Sequence, residues 1–228
     1  ESVLDRVIKQ NTENVNLLKT KDYNIFSVLQ IQSKEVLICR MIADLLNPRG
    51  QHGAGAEYLK IFLKDCLGME KMDTKLADQA IVTAEYAIDD ERRIDIEIGS
   101  YFLPIEVKIY AADQKSQCFD YYQYAKRRDA QAKVYYLTLD GHRPGKDSTS
   151  SGSQSVPEED IVCLSFRVHI LNWLKACKNC GNTGMIPILE QFIHNIEQIS
   201  GYTNEKVRNM VIDELVGAEA SLRAGMQI

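Results

Sequence analysis

The chain has 228 residues, 45% of them hydrophobic and 26% charged, enough to bury a proper core as one domain with appendages. Its formal net charge of −5 excludes a bulk nucleic-acid binder, so any DNA or RNA contact must come from a local basic patch. No run of about 18 apolar residues occurs, so neither a transmembrane helix nor a membrane partner is expected.

The chain opens on glutamate rather than methionine, as expected of a trimmed chain or a fragment, and the opening residues lack a signal-peptide apolar core. Six cysteines without such a signal predict reduced thiols in a cytoplasmic protein. Residues 1–32 read as a polar, helical appendage. From Lys34 to Leu46 the residues Leu37, Ile38, Met41, Ile42 and Leu45 recur at helical spacing. That helix stops at "NPRGQHGAG", whose proline and glycines mark a loop, and a second helix follows from about Ala56 to Leu67.

Next, "AIVTAEYAI" alternates in strand fashion, "DDE" reverses the chain, and "RRIDIEIGSYFLPIEVKIY" supplies two further strands. On this pair Ile94, Ile96, Ile98, Leu103, Ile105, Val107 and Ile109 read as one apolar face. Arg93, Asp95, Glu97, Glu106 and Lys108 read as the opposite face. After this meander, "DQKSQCFDYYQYAKRR" reads as a helix and "AKVYYLTLD" as a buried strand. The Ser- and Gly-rich stretch 141–157 reads as a flexible surface loop. A short strand, "DIVCLSF", precedes helices at about 168–176, 186–199 and 204–222. The expected architecture is α/β, a mixed central sheet with an αβββαβ core flanked by helices. Residues 33–140 would be the core and 158–228 a strand with C-terminal helices, all in one domain of 228 residues.

A solvated sheet face commonly carries Glu and Lys, and that explanation covers the charged face. Against it, "LPIEVKIY" is too apolar for an edge strand, which places Glu106 and Lys108 on a central strand with Asp95 on its neighbour. Carboxylates grouped in such a place repel one another and lose hydration unless something compensates. A divalent cation with oxygen ligands does so, and an adjacent lysine can position water and offset charge on a phosphate. Asp95, Glu106 and Lys108 therefore suit metal-assisted hydrolysis of a phosphodiester. Cys177 and Cys180 have metal-like spacing, but a zinc site needs about four ligands and no second pair stands nearby, so they read as free thiols.

The element order, with Asp95 followed by Glu106-x-Lys108 on the next strand, resembles the PD-(D/E)XK nuclease superfamily. Gln117-x-x-x-Tyr121 resembles the Q-x-x-x-Y element of its exonuclease-type branch, and "KEVLICRMIADLLNPRGQHGAG" resembles the N-terminal signature of a bacterial branch. The resemblance spans about residues 33–140 and implies a restriction-endonuclease-like fold. It implies Asp95, Glu106 and the Val107 backbone carbonyl as ligands of Mg²⁺ or Mn²⁺, Glu35 as a further ligand, and Lys108 as the catalytic lysine. Gln117, Tyr121 and His52 would meet substrate, and Arg93, as a neighbour of Asp95, would bind a phosphate or pair with a carboxylate. Glu35 is equally a carboxylate facing a helix dipole, Tyr121 equally a core residue beside Cys118, and His52 equally a loop brace. Glu97 is a possible additional ligand, and Glu85 stands where family members place another acid. The basic run Lys126 to Arg128 would track a nucleic-acid strand, or simply end a helix.

The implied function is metal-dependent DNA cleavage with a restriction or defence role; the oligomeric state stays open. A catalytically silent nuclease fold serving binding or assembly is the alternative, and a glycosidase with paired carboxylates is a third reading.

Overall fold

The computed structural model describes residues 23–180 and 182–201; the helices expected before residue 23 and over 204–222 lie outside the described residues. A short helix, α1 (Ile25–Val28), is followed by α2 (Glu35–Leu46), which carries Glu35 in its first turn and stops at Asn47, just before a proline. Next comes α3 (Glu57–Ile61), which widens into a π-helical turn over Phe62–Cys66. The sequence reading missed α4 (Thr74–Asp78), a single turn capped by the Asp73 carboxylate on the backbone N–H groups of Lys75 and Leu76.

Strands β1 (Val82–Ala87), β2 (Arg93–Ile98) and β3 (Leu103–Lys108) form the expected antiparallel meander. Helix α5 (Gln117–Lys126) then crosses over to β4 (Val134–Thr138), parallel to β3, and β7 (Ile161–Ser165) extends the sheet in parallel beyond β4. The sheet order is β1-β2-β3-β4-β7, which puts β3 at the centre with all six of its positions buried. A near-continuous apolar run on a strand covered on both faces is what such a position requires.

One face of the sheet packs on α2, α3 and the two later helices α7 (Leu171–Asn179) and α8 (Ile186–Ile199), in the larger core layer. Here the Trp173 indole N–H donates to the Tyr58 carbonyl at 2.8 Å, and the ring meets Phe62 edge-on at 5.4 Å. A π-helical turn, Phe166–Ile170, precedes α7, which is why that helix runs three residues later than its periodicity indicates. The opposite face packs on α5, with Cys118, Tyr121, Tyr122, Val134 and Tyr136 in the second layer.

Residues 141–157 correct the reading as a flexible loop. They fold into a one-turn helix, α6 (Lys146–Thr149), and a small ladder of β5 (Ser150–Ser151) with β6 (Gln154–Ser155). Ser116, at the start of α5, has a left-handed backbone (φ 58°) and makes no side-chain cap. The folded segment supplies the missing partners: Ser116 N–H donates to the Asp147 carbonyl at 2.7 Å and Cys118 N–H to Ser148 Oγ at 3.3 Å. Serines that read as solvent-seeking are thus used to terminate a helix.

Trp173→Ala removes the largest fully buried side chain and its indole donor. The expected cost is about 3–5 kcal/mol, read from urea unfolding as a lower midpoint with an unchanged m-value.

Candidate active site

The site grows from an irregularity that β1 and β2 share. Ala84 and its partner Ile96 pack in the larger layer, whereas Tyr86 and its partner Ile94 pack against the α5 layer. Regular alternation would keep residues two apart on one face, so both strands change face between them. The residues at the change are Glu85, whose backbone is left-handed at φ 54°, and Asp95. This corrects the assignment of Ile94 to the same apolar face as Ile96.

β2 also parts from β3 at this point. The pairing runs from Ile98↔Leu103 to Ile96↔Ile105 and goes no further. Beyond it, two backbone N–H groups of β3 and its continuation need acceptors, and carboxylates supply them. Val107 N–H donates to Asp95 Oδ2 at 2.7 Å, and Ile109 N–H donates to Glu35 Oε2 at 2.8 Å. Asp95 and Glu35 therefore stand where a strand would otherwise be, held by the backbone they satisfy.

Glu106 and Lys108 project from the other face of β3. Glu106 is fully buried; its Oε1 is in ion contact with Lys108 Nζ, and its carboxyl lies against that of Asp95. Burial, then the Asp95 charge, pushes the Glu106 carboxyl well above its usual range, with Lys108 opposing. Burial also raises Asp95; the Val107 N–H and Lys108 pull it back, and the Glu35 charge adds to the rise. For Lys108 burial works to lower the pKa, but Glu106, Asp95 and Glu35 outweigh it and hold the ammonium above its usual value. Cys39, one turn beyond Glu35, is buried against the same acids, and burial followed by the Asp95 and Glu35 charges pushes its thiol strongly up. Its place in an apolar stripe hid that position from the sequence.

The α5 residues brace this cluster. Tyr121 is buried, its hydroxyl donates to the Arg93 carbonyl, and Gln117 Nε2 donates to that hydroxyl at 3.2 Å. Gln117 Oε1 is buried without a partner. The Arg93 side chain is exposed and makes no ion pair among the described residues. Glu97 turns away from Asp95: its Oε1 accepts the Tyr124 hydroxyl at 2.7 Å, and the Arg128 guanidinium stacks 3.7 Å from that ring. Arg128 and Lys126 of the basic run are held locally, Lys126 by Asp160 at 3.2 Å, and Arg127 stays exposed.

His52 is buried. Its Nδ1 accepts the Ala54 N–H at 3.1 Å, which puts the ring proton on Nε2 for donation to the Asn47 carbonyl at 2.9 Å, and the ring stacks on Tyr58. Both nitrogens are engaged, so His52 braces the loop after α2. Glu85 is held by Arg40 at 2.6 Å, a partner the sequence did not reveal. Cys177 and Cys180 are free thiols.

Among the described residues no three His, Cys, Asp or Glu side chains converge as a ready metal cage. The donor set fits a different kind of site: two buried acids side by side, which suits Mg²⁺ with its retained waters.

A mixed αβββαβ sheet with two acids and a lysine at a strand fork is the restriction-endonuclease-like architecture. A family model of the PD-(D/E)XK nuclease superfamily matches residues 23–195, and the chain belongs to that superfamily, whose members are nucleases that usually use divalent metals. Searches of curated proteins and of solved structures found no match.

The electrostatics give a prediction about stability. Both acids are raised above their ordinary values of 3.8 and 4.5, so the stability these two groups contribute to the metal-free protein is fully present below those values and is lost as pH rises through the raised ones. Asp95→Asn keeps an acceptor for Val107 N–H and removes the repulsion. In EDTA at neutral pH it should melt about 2–4 °C above wild type, and the gap should close as pH falls toward 4.5.

Proposed function

We propose that the protein is a metal-dependent nuclease that hydrolyses DNA phosphodiester bonds in the cytoplasm, in a restriction or defence role. The observation that carries this reading is Glu106, a fully buried carboxyl on the central strand crowded against Asp95, with Lys108 in ion contact. Acids crowded together out of water repel one another and lose hydration, and a cation offsets both. Asp95, Glu106 and the Val107 carbonyl would hold Mg²⁺ or Mn²⁺, with Glu35 at its edge. The bound cation supplies Lewis acidity and a more acidic water.

The chain's own groups do the rest. The Lys108 ammonium stays charged beside Glu106, where it orients the attacking water and offsets negative charge growing on the phosphate. The exposed Arg93 guanidinium takes a phosphate oxygen. Tyr121 and Gln117 fix the Arg93 backbone and so act as positioning residues. Glu35 holds Ile109 N–H and keeps the strand end in place.

Cleavage of labelled single- and double-stranded DNA and RNA with Mg²⁺ or Mn²⁺ tests the reading. Lys108→Ala and Asp95→Asn should each lose at least about 100-fold in rate. EDTA-resistant cleavage, or full activity in both variants, would overturn it; binding without cleavage would favour the silent module. Independently of activity, Mn²⁺ should raise the melting temperature of wild type and leave Asp95→Asn unmoved. The metal's effect should grow with pH, because Glu106 must give up its proton to bind.

A further inference from the structure

Tyr110 lies two residues beyond Lys108, at the open end of the central strand. It is the most exposed large apolar residue among the described residues, at 69%, and makes no ring contact or hydrogen bond there. A lone exposed aromatic is ordinary on a protein surface; the anchoring of this one is not. On its N-terminal side, Ile109 N–H is tied to Glu35. On its C-terminal side, Asp113 accepts the Tyr136 hydroxyl at 2.6 Å and the Gly145 N–H at 2.6 Å, and Arg92 Nη2 donates to the Lys115 carbonyl at 2.6 Å. The backbone is thus fixed on both sides of a ring that the protein itself does not use.

We propose that Tyr110 is a stacking platform for the nucleobase beside the scissile phosphate, and that the substrate is therefore single-stranded DNA or a frayed duplex end. This deepens the nuclease reading and rests on it for the position of the phosphate. A ring can stack face-on only with a base that has left its own neighbour, so a continuous duplex offers it nothing. The face of every base serves equally, so the contact brings strandedness preference without sequence preference. Arg93, exposed on β2 two residues before Asp95, provides the accompanying phosphate contact.

The experiment uses oligonucleotides carrying 2-aminopurine next to the cleavage position, with Asp95→Asn as a protein that binds without cutting. Binding of the single strand should change the 2-aminopurine fluorescence. The further change Tyr110→Ala should remove that signal and weaken binding about tenfold or more, whereas Tyr110→Trp and Tyr110→Phe should keep it. In active protein, Tyr110→Ala should raise KM on single strands by a similar factor, leaving kcat and the activity on internal duplex sites within about twofold. Unchanged fluorescence and KM in Tyr110→Ala, equal losses on single strands and internal duplex sites, or no oligonucleotide binding would overturn the proposal. If wild type binds and signals through Tyr110 yet cleaves nothing with Mg²⁺ or Mn²⁺, the stacking site stands and the hydrolytic reading falls.

Discussion

Two backbone hydrogen bonds organise this protein's chemistry. When β2 leaves β3 at Ile96, the N–H groups of Val107 and Ile109 lose a strand partner in a place water reaches poorly. A buried N–H without an acceptor costs about 1–3 kcal/mol, so the fold must bring acceptors to that edge. It brings carboxylates, Asp95 from the departing strand and Glu35 from the first turn of α2. The two acids proposed as metal ligands are therefore also those that close the sheet's open edge. Position and charge are set by one requirement.

The arrangement is stable as a scaffold and costly as electrostatics. Glu106 and Asp95 are held above their usual range by burial, and Lys108 repays part of that through ion contact with Glu106. Glu85 adds backbone strain of about 1–3 kcal/mol by its left-handed conformation inside a strand. That strain has a structural return. It lets β1 follow β2 through the change of face at Asp95, so that Tyr86 and Ile94 join the α5 layer together. The larger core, with Trp173, Phe62 and Tyr58 closely packed away from the charges, is what the strained region leans on.

Period-2 alternation and the buried character of "LPIEVKIY" made the meander, the central place of β3 and the E-x-K pair legible in the sequence. Helices α2 and α8 were legible from their apolar stripes, with bounds close to those observed. The face change at Asp95 was not, because it depends on a backbone angle at Glu85 that a glutamate does not advertise. Nor was the folded state of 141–157, since its serines bond to the start of α5, a long-range fact with no local pattern. His52 and Tyr121 were visible as motif residues, but their partners decide their roles, and those partners are a loop carbonyl and a strand carbonyl.

The single residue between Glu106 and Lys108 shows why the motif spacing is rigid. Val107 points its side chain into the larger core, and its N–H goes to Asp95. Its two neighbours face α5 by alternation, which brings the ammonium and the carboxylate together on one side. A one-residue slip in β3 would bury Lys108 in the α2 layer, put an apolar side chain where Glu106 stands and leave Asp95 without its donor. Hydrophobic burial on one face therefore fixes, to a single register, the placement of charge on the other.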